Sequence, residues 1–308
     1  MALKQAASKM KVNLAPLLKQ AYVMDAPFSL GSKLVGSKYF PDMIREYGLE
    51  SMILKEAEQM HNICHGYKMD QQSVGAYCES LHDAILANPE CLKQFLLVLG
   101  GDHSLSIGTV NAIDKLQGST GVVWVDAHAD INTSETSPSE NMHGMSVAFL
   151  LGLEKTLLKQ KAQWGWFKPS GLQPSDVVYV GLRDVDAGET EILSRMGITA
   201  YTIDDVDKHG IEGIMDMTHR KLAHKDNLHL SFDIDALDPK VAPHTGTAVS
   251  GGLTEEEGVF ICESMGGSGR LTSMELVEVN PIINQEEPVE KTLDVAMKLI
   301  QSTLNSRR

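Results

Sequence analysis

The chain has 308 residues, 43% of them hydrophobic and 22% charged. That balance lies near the soluble globular average and excludes disordered, collagenous and coiled-coil classes. Twenty-seven Lys+Arg against 41 Asp+Glu leave a formal net charge of −14, which argues against a nucleic-acid partner gripped by its phosphates and permits a cationic ligand. No apolar run approaches the roughly 18 residues of a membrane span, so no membrane partner is expected.

Residues 1–23 carry Lys4, Lys9, Lys11 and Lys19 and no acidic residue. The segment is Lys-rich rather than Arg-rich, so it reads as a surface helix in preference to an organelle-targeting segment. Residues 1–24 are therefore set aside as an N-terminal extension of a single domain over 1–308, because no repeat, low-complexity tract or linker divides the sequence. Cys64, Cys78, Cys91 and Cys262 form no CxxC pair, and no secretory apolar segment precedes them. They read as core thiols of a reducing compartment, the cytoplasm, with the mitochondrial matrix as the alternative.

Short apolar runs of the buried-strand type then recur at Phe95–Leu99, Val122–Val125, Val177–Val180, Leu228–Phe232 and Leu276–Val279,. Helix-like spacing lies between them, as in Glu189–Met196 and in Glu255–Met265, the latter with Thr254 as N-cap,. Strands alternating with helices predict an α/β fold, a mostly parallel sheet covered on both faces. Polar clusters close the runs: Gly100-Gly101-Asp102-His103, Asp126-Ala127-His128-Ala129-Asp130, Arg183-Asp184-Val185-Asp186 and Asp233-Ile234-Asp235, with Glu278 inside the fifth. In open α/β sheets ligands bind beyond the carboxyl ends of the strands, so these groups should converge there.

Asp126, His128 and Asp130 are spaced by two, and if the strand stays extended through them they point one way. Asp233 and Asp235 repeat the spacing, and His103 adds an imidazole beside a Gly-Gly turn that lets backbone approach closely. Four carboxylates balance two divalent cations better than one. Without nearby cysteine the set disfavours structural zinc, and its oxygen-rich character suits manganese better than copper. Alone, an Asp-x-Asp is most often a turn or cap and a single histidine a core or surface residue; their recurrence at strand ends favours a metal site. Gly100-Gly101 lacks the Lys-Ser/Thr of a phosphate loop.

Four motifs together, Gly100-Gly101-Asp102-His103-Ser104, Asp126-Ala127-His128-Ala129-Asp130-Ile131-Asn132-Thr133, Ser231-Phe232-Asp233-Ile234-Asp235 and Glu278-Val279-Asn280-Pro281, resemble the arginase branch of the ureohydrolase family. The likeness runs from about Ala26 to Ile300 and is strongest between Leu96 and Pro281. It implies a three-layer α/β sandwich with a central, mostly parallel sheet of about eight strands and a centre of two Mn2+ ions per chain. It makes His103, Asp126, Asp130 and Asp233 ligands of one ion and Asp126, His128, Asp233 and Asp235 ligands of the other. A water shared by two cations loses a proton near neutral pH and can attack a guanidinium carbon. The likeness further assigns proton relay to Asp130, a proton shuttle to His143 and the guanidinium grip to Glu278.

The activity implied is hydrolysis of L-arginine to L-ornithine and urea. By resemblance Asn132, Ser139 and Asn141 match carboxylate-binding positions, Asp186 the α-amino partner and Thr247 a site hydroxyl, which favours arginine over agmatine. A homo-oligomer is implied as well, with a homotrimer as the family's form. Three departures stand out. Glu140 replaces a Gly that usually precedes Asn141, no strand is evident between Leu49 and Leu96, and the chain stops soon after its last helix-like stretch, where some arginases carry a tail. The alternatives are an agmatinase or other guanidino hydrolase, or a catalytically weakened metal-binding homologue.

Overall fold

The computed structural model describes residues 21–49, 51–52, 61–62 and 73–307. Among the described residues there are eight strands: β1 Tyr22–Asp25, β2 His61–Asn62, β3 Leu96–Leu99, β4 Thr120–Val125, β5 Val177–Leu182, β6 Thr199–Thr202, β7 Asn227–Asp233 and β8 Leu271–Val277. They form one sheet in the order β2-β1-β3-β8-β7-β4-β5-β6, and each pairing is parallel. β3, β4 and β5 are buried along their whole length, as expected of strands covered on both faces.

Alternation along each strand feeds two cores. Leu97 and Leu99 of β3 join Val123, Val180 and Phe232 against helices Ile203–Lys221, Glu255–Gly267 and Val289–Ser306. Leu96 and Val98 face the other way, toward helices Val74–Ala87 and Ser106–Gln117, while Trp124 and Tyr179 continue that second layer with Val147 and Ile192. The result is the expected three-layer sandwich. The last helix is bound by Leu293, Leu299, Ile300 and Leu304, all buried, each contributing about 1.5–3 kcal/mol of apolar burial.

Local signals set the helix starts. Thr254 caps Glu255–Gly267 with a reciprocal bond to Glu257, and Asp186 pairs with Glu189 in the same way at the start of Ala187–Met196, satisfying otherwise unpaired amides. Three elements differ from the sequence reading. Tyr22–Met24 lie in β1, so the expected extension over 1–24 overlaps the sheet; residues 1–20 lie outside the described residues, as does Cys64. A strand does exist between Leu49 and Leu96, the two-residue β2, too short to show periodicity. β6 went unnoticed because Thr-Ala-Tyr-Thr is only half-buried and lacks a continuous apolar run.

From β3 the chain crosses β8 and β7 to reach β4, so the strand order reverses near the middle of the sheet. In open α/β sheets such a reversal leaves a crevice above the carboxyl ends of the strands. A Cβ on Gly101 would meet Phe28 O at 1.8 Å, so only glycine lets the end of β3 lie against that neighbour and set His103 at the crevice floor.

Candidate metal centre and active site

β4 ends at Val125, and the chain beyond it turns, with Asp130 at φ 50°. The expected extended comb is replaced by caps: Asp126 Oδ1 accepts from His128 N at 2.7 Å, and Asp233 Oδ1 accepts from Asp235 N at 2.8 Å. Each alternating pair is folded back on itself, which brings its two donors closer together than a pleat would.

His103, Asp126 and Asp233 form one group able to hold a metal ion, and Asp126, His128 and Asp235 a second. Asp126 belongs to both; Asp233 groups with His103. His103 Nδ1 lies 3.1, 3.0 and 3.2 Å from carboxylate oxygens of Asp126, Asp130 and Asp233, yet it is a buried nitrogen in hydrogen-bonding geometry with none of them. Three oxygens around one nitrogen, none on its N–H line, suit a cation shared among all four better than a proton. His128 Nδ1 stands 3.4 Å from Asp126 and 3.2 Å from Asp235.

The electrostatics carry the same message. Burial opposes charging of His103, but Asp126, Asp130 and Asp233 overcome it and raise its pKa; His128 is raised likewise against burial by Asp235 and Asp126. Asp130 is pushed up to about 6 by burial and by the charge of Asp126, and burial with Asp235 and Asp126 raises Asp233. A cluster in which Asp130 and Asp233 are pushed toward their protonated forms while both histidines are pushed toward cations lacks positive charge, and divalent cations fit it.

Trp124 stacks on His103 at 4.0 Å between ring centroids and donates from Nε1 to Asp126 Oδ2 at 3.0 Å. Behind the ring, His103 Nε2 meets Ser231 Oγ at 2.8 Å, and Ser231 donates to Glu275 Oε1 at 2.7 Å. Glu275, wholly buried, also receives Ser106 Oγ at 2.6 Å and Thr109 Oγ1 at 2.5 Å. Such a carboxylate-terminated chain fixes which ring nitrogen faces the metal.

Above the carboxylates, Glu278 sits just past β8 rather than within it. Its φ of 61° breaks the pleat and turns the carboxylate over the crevice, where Oε1 accepts from His103 N at 2.8 Å and contacts His143 Nδ1 at 2.9 Å. Both bonds fall on Oε1, leaving Oε2 for an incoming N–H donor. Burial would lower His143, but Glu278 lifts its pKa to about 9.

Farther out, Asn132 Nδ2 donates to Asp186 Oδ2 at 2.9 Å, joining two of the expected substrate residues. Ser139 Oγ accepts from Asn141 N at 3.2 Å. Thr247 Oγ1 donates to Asp235 Oδ2 at 2.9 Å, so its hydroxyl is committed to a carboxylate of the cluster. Glu140 is exposed and holds φ 61°, the backbone region in which glycine is at ease.

Sequence reasoning missed several supporting groups. Besides Trp124, Ser231 and Glu275, Glu189 is buried and accepts from Ile131 N at 3.0 Å and Asp186 N at 3.1 Å, tying two site loops together. Arg183 donates to the carbonyls of Asp235, Ala236 and Val249 and clamps the loop after β7. The capping-box spacing of Asp186 and Glu189 was a usable signal; nothing in the sequence marked Arg183 as a carbonyl clamp.

The Arginase family model matches residues 19–305. The chain belongs to the arginase family. It is 38% identical to hepatic arginase of Aquarana catesbeiana over 93% of each chain. With arginase of Glaciozyma antarctica it shares 45% identity over 68% of this chain, an alignment that spans 61% of that relative. The crystal structure of arginase from Bacillus subtilis superposes with a TM-score of 0.83 at 35% identity, covering 92% of this chain and 98% of that one. The arginase-family fold accounts for the parallel sheet and for the crevice at its strand ends. Among the described residues, no helix is long and apolar enough to cross a membrane.

Proposed function

We propose that the chain hydrolyses L-arginine to L-ornithine and urea with two manganese ions. The observation that carries this reading is Asp126, which belongs to both His/Asp groups beneath the His143–Glu278 pair. Names of arginase relatives on both sides of the comparison support it.

In this reading His103, Asp126, Asp130 and Asp233 hold one ion and Asp126, His128, Asp233 and Asp235 the other. When bound, the ions supply Lewis acidity that activates a water near neutral pH and stabilises charge at the attacked carbon. Glu278 accepts guanidinium N–H groups and places the carbon over the carboxylates. Asp130 would take a proton from the attacking water and pass it to the nitrogen that leaves as ornithine. His143 would carry the water's other proton to solvent. Asn132, Ser139 and Asn141 receive the α-carboxylate, Asp186 the α-ammonium, and Thr247 holds Asp235.

The same reading takes the chain as one catalytic domain acting in the cytoplasm or mitochondrial matrix. Buried free thiols at Cys78, Cys91 and Cys262 support a reducing compartment. Assembly as a homotrimer belongs to it and is read by light scattering on the purified protein. Arginine and agmatine assayed side by side test the function: arginine turnover supports it, and turnover of agmatine alone replaces it with an agmatinase.

A further inference from the structure

The outer end of the crevice is rich in negative charge. Asp186 is bonded to Asn132, Asp184 is exposed near His128, and Glu140 stands on the loop that follows. Arg183, the nearest arginine in sequence, spends its guanidinium on backbone carbonyls. An incoming α-carboxylate therefore meets charges of its own sign unless a cation is placed there.

Lys33 supplies one. Its Nζ donates to Ser139 O at 2.9 Å, reaching across 106 residues of sequence to the loop expected to receive the α-carboxylate. The segment that carries it is anchored through Gly31, whose N donates to buried Asp102 Oδ2 at 2.8 Å and whose O accepts from His143 N at 3.2 Å. A Cβ at Gly31 would lie 2.4 Å from Asp102 Oδ1, so this close approach needs glycine. One of the three ammonium donors is used on Ser139, and two remain for a ligand.

We propose that Lys33 is a specificity-determining residue that admits the α-carboxylate of an amino-acid substrate and so separates a guanidino amino acid from its decarboxylated amine. The inference rests on the arginine reading above and deepens it. It assigns to an exposed lysine on the loop after β1 a selection that the motif residues Asn132, Ser139 and Asn141 would otherwise perform with neutral groups alone.

The test compares manganese-loaded wild type, Lys33→Gln and Lys33→Arg. For arginine, Lys33→Gln raises KM by about three- to tenfold, the range of a partly exposed charge contact, with kcat unchanged; for agmatine, KM stays the same or falls. Binding of the products follows suit without turnover: L-ornithine weakens by the same factor, and putrescine, which has no carboxylate, does not. Lys33→Arg restores arginine binding, and added salt narrows the gap between wild type and Lys33→Gln. Equal losses on arginine and agmatine would show that the Lys33–Ser139 bond only shapes the loop and would overturn the proposal, as would no change at all. Wild type that hydrolyses no arginine overturns the arginine reading first and the proposal with it, an outcome distinct from an active wild type indifferent to Lys33.

Discussion

His143 Nδ1 lies 2.9 Å from Glu278 Oε1, which joins the expected proton shuttle to the expected guanidinium acceptor before any substrate arrives. Both side chains are largely buried, so the pair senses a low dielectric and its partners shift each other strongly.

The pair predicts a pH signature in the metal-free protein. Burial works to lower His143, yet Glu278 raises it to about 9, against about 6.5 in an unfolded chain. Because the folded pKa is the higher one, the stabilisation is complete below about pH 6.5 and is lost as pH climbs through about 9. Glu278→Gln should bring the His143 titration, followed by NMR, down by about one to two units. It should also flatten the decline of Tm between those two pH values. An unchanged His143 titration would remove Glu278 as the cause.

Metal content should respond unequally to the ligands. Asp126 serves both groups while His103 and His128 serve one each. Asp126→Ala is therefore expected to lose both manganese ions or retain one weakly, whereas His103→Ala should keep close to one equivalent. Elemental analysis after gel filtration reads the difference; two equivalents retained in Asp126→Ala would contradict its shared position.

Glu275 should matter despite never touching the crevice. It accepts from Ser106, Thr109 and Ser231, so Glu275→Ala strands three buried hydroxyls and frees the Nε2 side of His103. The expected cost is about 3 kcal/mol or more in stability, with weaker manganese binding at the His103 group measured by titration calorimetry. A variant that unfolds like wild type would mean that buried water takes over the carboxylate's bonds.

Glu140→Gly tests the backbone at the family's unusual position. Glu140 occupies φ 61°, where a side chain costs about 1 kcal/mol relative to glycine. The substitution should raise Tm by about 1–2 °C in a protein of this size. A fall in Tm would show that the Glu140 side chain contributes more than its backbone costs.

The sequence made the strand-end chemistry readable because those groups lie in short, contiguous motifs: His103, Asp126, His128, Asp130, Asp233 and Asp235 all follow apolar runs. What it concealed lies either in short edge strands or inside the sheet. β2 has two residues and β6 is half-buried, so neither has an apolar signature. His229, Ser231 and Asp233 alternate along β7, and Ser273 and Glu275 alternate along β8 in direct register with His229 and Ser231. That polar stripe looks like a solvent-facing edge in one dimension and becomes a buried network only when the strands pair. Glu278 was read as part of its strand because a positive φ leaves no mark on the sequence unless glycine occupies it.

Asp126 and its neighbours are expected to hold the ions for arginine hydrolysis. Urea released from L-arginine, measured after manganese loading, after chelation and after manganese is restored, decides whether they do. One urea and one ornithine per arginine with manganese, none after chelation and recovery on re-addition is the predicted result. Equal urea release before and after complete metal removal would contradict it.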